Sequence, residues 1–455
     1  MKRLLAALLC LCLLFGFSAC GAEETASKKP SSLPSSTSPA SKPAGGSSEP
    51  DSSVAGPTSS HSSSKPDKKP TPTPPEETPT PEPLRNMAFE QLDEVQQAYY
   101  EKLYDGVMGL QTSWIILGPA EEDYKSDISV VRNALVADHP EIFWLPSYYA
   151  TAVATANDGS QTAIIYFATL PDGDPSYAVK KSEVSHMTKE LEAAIKSITD
   201  KVTATDPYEI ELQLHDLLCG LVEYSDNTED PMIYTAYGAL VNKKALCEGY
   251  SKAMKLLLAE FGIQSITVTG MAGGESHMWN SVLLGGSWYN LDVTWDDTKG
   301  GKISHEYFNT TDDAIRYDHE FFPDFTEFLP EDLEDGTVSF NLGRPLCTGT
   351  EFNYYNRSGH VYFRDKADAL AAYIIRTGGD FFEVRFSDLG FRDFFDQNTD
   401  EQVALINEAL KEKDPEFKGR VNAVSISGFV LGLYVSEEEQ EETVSETENG
   451  EAVMT

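Results

Sequence analysis

Apolar residues recur at helical spacing in MAFEQLDEVQQAYYEKLYDGV (87–107) and DISVVRNALVADHPEIFW (127–144), the second broken by Pro140. YYATAVATA and TAIIYFATL then alternate or run apolar around an Asn-Asp-Gly turn, which predicts a hairpin. SEVSHMTKELEAAIKSITDKV and DPYEIELQLHDLLCGLVEY read as consecutive helices, and YTAYGALVN as a short one. KKALCEGYSKAMKLLLAEFGI places Cys247, Tyr250, Met254, Leu257 or Leu258, and Phe261 on one helical face. QSITVTG is strand-like. Beyond Pro323 come strand-like SGHVYFRD, helical KADALAAYIIRTG, strand-like DFFEVRFS, helical DEQVALINEALKEK and apolar NAVSISGFVLGLYV. No internal repeat is visible.

The stretch SHMWNSVLLGGSWYNLDVTWDD (276–297) is the most informative hairpin. A two-residue Gly285-Gly286 turn pairs residues whose numbers sum to 571, placing His277 opposite Thr294 and Asp292 opposite Trp279. Side chains alternate faces along a strand, so His277, Trp279, Asp292 and Thr294 share one. His277 and Asp292 are then diagonal neighbours about 7–8 Å apart at the backbone, within side-chain reach. The other face collects Met278, Val282, Leu284, Tyr289, Leu291 and Val293, a core surface interrupted by Asn280 and Ser287. Ser281, Leu283, Trp288 and Asn290 join His277 on what reads as a cleft wall. An odd-numbered turn would separate His277 from Asp292.

Cys247 opens its helix, where unpaired N–H groups and the dipole favour thiolate over thiol. Lys243 and Lys244 push the same way if near, and Gly249 leaves the first turn open to a substrate backbone. A lone cysteine is more often a small core residue, and a lone His or Asp beside a turn is commonly structural. Together, Cys247, His277 and Asp292 supply a nucleophile, a base and the group that fixes the base's tautomer.

These residues resemble the transglutaminase-like superfamily. ALCEGYSKAMKLLLAEFGI followed by SHMWNSVLLGGSWYNLDVTWDD is similar to its papain-like core, with a cysteine at a helix start and His and Asp on adjacent strands. LHDLLCGLVEYSDNTEDPMIYTAYGALVNKKA resembles the bacterial branch, and the likeness covers roughly residues 205 to 310. Two positions depart from the pattern: Met278 replaces the alanine after His, and Val293 the proline after Asp. The resemblance implies Cys247 as nucleophile, His277 as general base and acid, and Asp292 as orienter. Its oxyanion is held by the backbone N–H at the cysteine plus a side chain, for which Tyr237 is the candidate. The implied chemistry is acyl transfer through a Cys thioester with a protein or peptide amide. An amine resolves it in cross-linking, water in deamidation or proteolysis. Other members keep the fold as non-catalytic scaffolds, so a surface binding or adhesion module is the alternative.

The rest of the chain bears on location. MKRLLAALLCLCLLFGFSAC has a basic start, a short apolar run and small residues before Cys20, a secretory signal. FSAC-Gly21 resembles a bacterial lipobox that lipidates Cys20, though Phe17 stands where that pattern prefers Leu. Cleavage near Ala19 with plain secretion is the alternative. Residues 21–85, rich in Ser, Pro and Thr, cannot form a core. At about 3.1 Å per residue they form a tether on the order of 100 Å. These features point to an exported lipoprotein on the outer face of a Gram-positive cell membrane.

The net charge of −38 argues against a nucleic-acid partner. Part of it sits in an acidic tail, 436–455. Cys10 and Cys12 leave with the signal, so Cys219, Cys247 and Cys347 remain, an odd number of which at least one is free or paired with another molecule. Without a close cysteine pair no structural zinc is expected, and no cofactor is called for. His215 and Cys219, four apart among leucines, read as core. Asp296 and Asp297 read as solvated or capping. No partner is legible for His305, His319 or Cys347.

The expected organisation is a leader (1–20), a linker (21–85), an accessory α+β region (86–204), an α+β papain-like core (205–325), a small α+β unit (326–435) and the tail. The substrate would be a protein or cell-wall peptide. The sequence leaves the oligomeric state open.

Overall fold

The computed structural model describes residues 87–437, apart from 147, 168–178, 299–302, 335, 337 and 363. The leader with Cys20, the linker and nearly all of the acidic tail lie outside the described residues. All the described residues belong to one compact unit.

Helix α1 (Glu94–Met108) starts in a capping box, with Asp93 accepting from the Gln96 N–H and Gln96 reaching back to Asp93. It packs on strand β1 (Ile115–Pro119) and helix α2 (Tyr124–Asp138). The predicted hairpin forms from β2 (Ala150–Thr155) and β3 (Gln161–Tyr166), and β1 joins it antiparallel in the order β1-β3-β2. Strand β1 was not anticipated, because its Gly118-Pro119 end reads as a turn. Helices α3 (Lys181–Thr199) and α4 (Pro207–Cys219) follow as expected, α4 capped by Asp206 with Pro207 at its first position. Leu103, Ile128, Ala163, Leu214, Tyr250 and Leu291, all fully buried, belong to one continuous core. The segment before α4 and the segment after it are therefore fused by packing.

The sheet that follows carries the chemistry. Helix α5 (Cys247–Ala259) buries Tyr250, Met254, Leu257 and Leu258 completely, matching the predicted face. It lies against β4 (Ser265–Ala272) and β5 (Glu275–Leu284), which pair with β6 (Ser287–Leu291) and β7 (His319–Phe321) in the order β6-β5-β4-β7. The β5–β6 register runs from Leu284↔Ser287 to Asn280↔Leu291, as the two-residue turn requires. Gly285 and Gly286 have φ of +56° and +82°, which only glycine adopts freely.

The ladder stops earlier than the hairpin arithmetic assumed. Strand β6 ends at Leu291, and Asp292 caps a short helix, Val293–Asp296, by accepting from the Thr294 and Trp295 N–H groups. His277 therefore faces Gly270 of β4, and has no partner at Thr294. The supposed cleft wall is also covered in part. Ser281 and Asn290 are fully buried, Asn290 donating to Asp312 and Ser281 lying against the Cys347 thiol.

The C-terminal elements are β8 (Val361–Tyr362), α6 (Ala367–Thr377), β9 (Phe381–Phe386), α7 (Leu389–Gln397), α8 (Thr399–Lys413), β10 (Gly419–Ser427) and β11 (Val430–Glu437). Their sheet runs β8-β9-β11-β10 around a separate core that includes Phe386, Phe391, Phe395, Ile406 and Leu433. Helix α7 was not anticipated; it buries Phe391 and Phe395. The Phe429 N–H donates to Glu306, joining the β10–β11 turn to the segment behind the site.

Candidate active site

Cys247 begins a 13-residue helix whose N-cap, Leu246, offers no side-chain acceptor, so the first-turn N–H groups stay available to a bound oxyanion. The cysteine is half-buried, whereas Cys219 and Cys347 are buried, and all three are free thiols. Burial pushes the Cys347 thiol up to about 12. Burial also raises Cys219. Ser251 Oγ lies 2.9 Å from both the Cys247 and Met278 carbonyls, tying the first turn of α5 to the strand that carries His277.

Two expectations about this turn are corrected. A Cβ at Gly249 would sit 2.5 Å from the Ile233 carbonyl and 2.7 Å from the Ala245 Cβ. The glycine admits the protein's own backbone, and its place is not a path for substrate. Lys244 turns to Glu223 at 3.8 Å on the surface. The lysine built into this turn is Lys252, bonded to Glu248 at 2.6 Å and to the Tyr234 carbonyl at 3.2 Å.

The structure brings His277 and Asp292 together as the shared face predicted, by a different route. His277 Nε2 is 2.6 Å from Asp292 Oδ2, and Asp292 is completely buried. The cap geometry swings the carboxylate back under β5, which does the work the missing ladder rungs were expected to do. With Nε2 committed to Asp292, Nδ1 is the ring nitrogen left for the thiol. Burial opposes charge on His277, but Asp292, by charge and hydrogen bond, and then Cys247 outweigh it and raise the ring to about 10. Burial alone would raise the Asp292 carboxyl; His277 and then His319 hold it well below the usual carboxylate range. Indole rings of Trp279 and Trp295 flank the imidazole at 6.1 and 5.9 Å between centroids.

A cysteine at a helix start, a sheet-borne histidine and a buried aspartate make a papain-like set, and residues 196–293, which contain all three, match the profile of the Transglutaminase-like superfamily. This segment belongs to that superfamily. The chain is also 24% identical over 175 residues to the kyphoscoliosis peptidase of Mus musculus, covering 34% of this chain and 25% of that protein. It thus spans about a quarter of the relative's length. Among solved structures, a TGase is matched over 33% of this chain and 45% of its own, at 12% identity and a TM-score of 0.23. A candidate cysteine protease of Cytophaga hutchinsonii is matched over 33% and 65%, at 16% identity and a TM-score of 0.20.

Sequence reasoning gave the transglutaminase-like domain a single histidine on Asp292; the structure places two there. His319 Nε2 lies 3.1 Å from Asp292 Oδ2, and its Nδ1 lies 2.6 Å from Asp318 Oδ1. The signal available was slight: a histidine in the aromatic-rich run YDHEFF, whose short strand β7 forms only as an edge on β4.

Tyr237 does not turn to the thiol. Its hydroxyl donates to Glu190 at 2.8 Å and its ring packs on Phe143. Tyr234, half-buried at the end of the turn that Gly249 admits, is near enough for Cys247 to bear on its phenol. Burial first, then Glu248 and Cys247, raise that group.

Asp296 is also corrected. It is completely buried, accepting from the Tyr307 N–H and facing His215 Nε2 at 3.3 Å. Asp297 accepts from the Tyr250 hydroxyl at 2.6 Å. His215 is core, as expected, but its Nδ1 reaches Asp216, whose same oxygen meets His305 Nε2 at 2.9 Å. Burial opposes charge on His215, yet Cys219, Asp216 and Asp296 raise it well above the ordinary imidazole value. The groups His215/Asp216/His305 and His277/Asp292/His319 each bring three potential ligand atoms within 4.8 Å of one another. In both, two imidazole nitrogens point at one carboxylate oxygen at hydrogen-bond distance.

Proposed function

We propose that this protein is a cysteine acyl-transfer enzyme of transglutaminase type, tethered at the cell surface and acting on protein or cell-wall peptide amides. The observation that carries the reading is the constellation of Cys247 at a helix start, His277 against it, and buried Asp292 on the far nitrogen of the ring. The membership of residues 196–293 in the transglutaminase-like superfamily supports it.

In this reading the Cys247 thiol gives its proton to His277 Nδ1, and the thiolate attacks the amide carbonyl carbon. The oxyanion meets the first-turn N–H of α5, with Tyr234 rather than Tyr237 as the side-chain donor. His277 returns the proton to the leaving nitrogen as the C–N bond breaks, leaving a thioester. A primary amine or water then attacks the thioester, His277 takes a proton from it, and the C–S bond breaks to free the thiol. Throughout, Asp292 keeps Nε2 protonated and Nδ1 facing the sulfur. Anchoring through Cys20 and the Ser/Pro/Thr-rich tether would set this domain at a distance from the membrane.

The test incubates the full chain with a fluorescent primary amine and a glutamine-rich protein, beside Cys247→Ala. Cys247-dependent incorporation identifies a transferase; Cys247-dependent cleavage or ammonia release identifies a hydrolase. If neither occurs, and iodoacetamide labels Cys247 no faster than an ordinary exposed thiol, the enzymatic reading falls and a binding module takes its place. Loss of membrane association in Cys20→Ala checks the anchor.

A further inference from the structure

The two nitrogens of His319 face two different carboxylates, Asp292 at 3.1 Å and Asp318 at 2.6 Å. Ionised carboxylates only accept hydrogen bonds, so this geometry is satisfied when both ring nitrogens carry protons. His319 and Asp292 are buried, with side-chain exposure of 0% for each. Asp292 also accepts two backbone N–H bonds through its other oxygen, which marks it as the ionised member. The unit Asp318–His319 is thus a neutral pair set behind a catalytic carboxylate, its imidazolium centred 5.6 Å from the His277 ring. The Tyr307 hydroxyl closes the far end by donating to Asp318 at 2.6 Å.

We propose that His319 is a positioning residue for the reaction: an imidazolium held between Asp318 and Asp292 that fixes the Asp292 carboxylate and sets the charge that His277 feels. The inference rests on the triad reading given above. Without His319, Asp292 would act on His277 as an uncompensated buried anion, tightening the imidazolium and making His277 a poorer proton donor to the leaving group. Among the neighbouring ionisable groups, Cys247 of α5 faces His277, Glu306 and Tyr307 come from the segment before β7, and Arg316 and Arg344 lie over Phe321 of β7. His319 is a cation hydrogen-bonded to the same Asp292 oxygen as His277. Burial opposes its charge, but the bonds to Asp292 and Asp318 raise it above the ordinary imidazole value.

The experiment is the pH profile of Cys247 alkylation by iodoacetamide in the full chain, with the modified residue confirmed by peptide mapping. His319→Gln keeps a neutral N–H within reach of Asp292 and removes the positive charge. It should move the thiolate–imidazolium steps to higher pH by about one unit. The double variant His319→Gln/Asp318→Asn removes both charges and should return the steps toward the wild-type positions. A structural disturbance would add with the second substitution, whereas a charge effect cancels. The proposal is overturned if His319→Gln leaves the steps unmoved, or if the double variant is shifted as far as the single one. Should His319→Gln not give a cooperative thermal melt, Asp318→Asn alone carries the test. It leaves the cation uncompensated and should lower the steps, and any other result overturns the proposal. A wild-type Cys247 that alkylates like an ordinary thiol would instead sink the triad reading itself.

Discussion

Replacing Asp292 by Asn is the most telling single perturbation, because this carboxylate does two jobs with two oxygens. Oδ2 takes the Nε2 protons of His277 and His319; Oδ1 takes the N–H groups of Thr294 and Trp295. An amide has one accepting oxygen and one donating NH₂. With oxygen toward the rings, the NH₂ opposes two backbone N–H groups; with the NH₂ toward the rings, it opposes two imidazole N–H groups. Either way two donors at a fully buried position lose their acceptor. At about 1–3 kcal/mol for each group left unsatisfied, the loss is roughly 2–6 kcal/mol. The second orientation also favours a His277 tautomer with its proton on Nδ1, where it cannot accept from the thiol. A wrong tautomer of this kind costs about 10⁴-fold in a serine-protease triad. Urea unfolding measures the first effect, and the rate of Cys247 alkylation together with amide turnover measures the second. An Asp292→Asn chain within about 1 kcal/mol of wild type, with Cys247 alkylating at the wild-type rate, would refute both the cap and the orienting role.

Gly249→Ala should destabilise the chain by about 1–3 kcal/mol in urea unfolding, because the added Cβ meets a backbone carbonyl and an alanine stub that cannot swing away; an unchanged midpoint would count against the packing described. Tyr234→Phe should leave stability and alkylation near wild type while amide turnover falls about 10²-fold, and undiminished turnover removes Tyr234 from the oxyanion site. His215→Leu should cost about 3–5 kcal/mol, since it removes the side chain that faces fully buried Asp296. The double variant with Asp296→Asn should cost less than the sum of the two single losses, and simple additivity would mean that the two side chains do not interact. Stability should also depend on pH in a set direction. His277, raised to about 10, stabilises fully below the ordinary imidazole range, and that contribution is lost as the pH rises through about 10. Asp292, held low, contributes above the ordinary carboxylate range and loses that contribution as the pH falls. A urea midpoint that is flat or rising from pH 7 to 10 would contradict the first statement.

Much of the site was legible because it depends on short-range rules. A glycine pair requiring positive φ fixes an even turn, and its register holds as far as Asn280↔Leu291, which brings the chain to within one residue of Asp292. Helical spacing after Cys247 fixes which face of α5 is buried, and so puts the cysteine at the edge of the core. The N-terminal helices and hairpin were readable for the same reason.

What remained hidden depends on residues far apart in the chain. Gly249 is small because of Ile233 and Ala245, which a reading of its own helix does not reveal. Tyr237 and Tyr234 lie three residues apart, and only the course of the 231–242 turns decides that one hydroxyl goes to Glu190 while the other ring lies near the thiol. Strand β7 is three residues long and exists because β4 offers it an edge, so nothing local marks His319. Sequence alone thus placed Cys247 at a helix start and His277 and Asp292 in one hairpin segment, since turn chemistry and periodicity are local. Only the tertiary structure decided that Asp292 leaves its strand to become a cap, and that both Asp292 and Asp296 close on buried histidines. Burial without water forces every carboxylate to find a donor, and which donors arrive is settled by packing over long range.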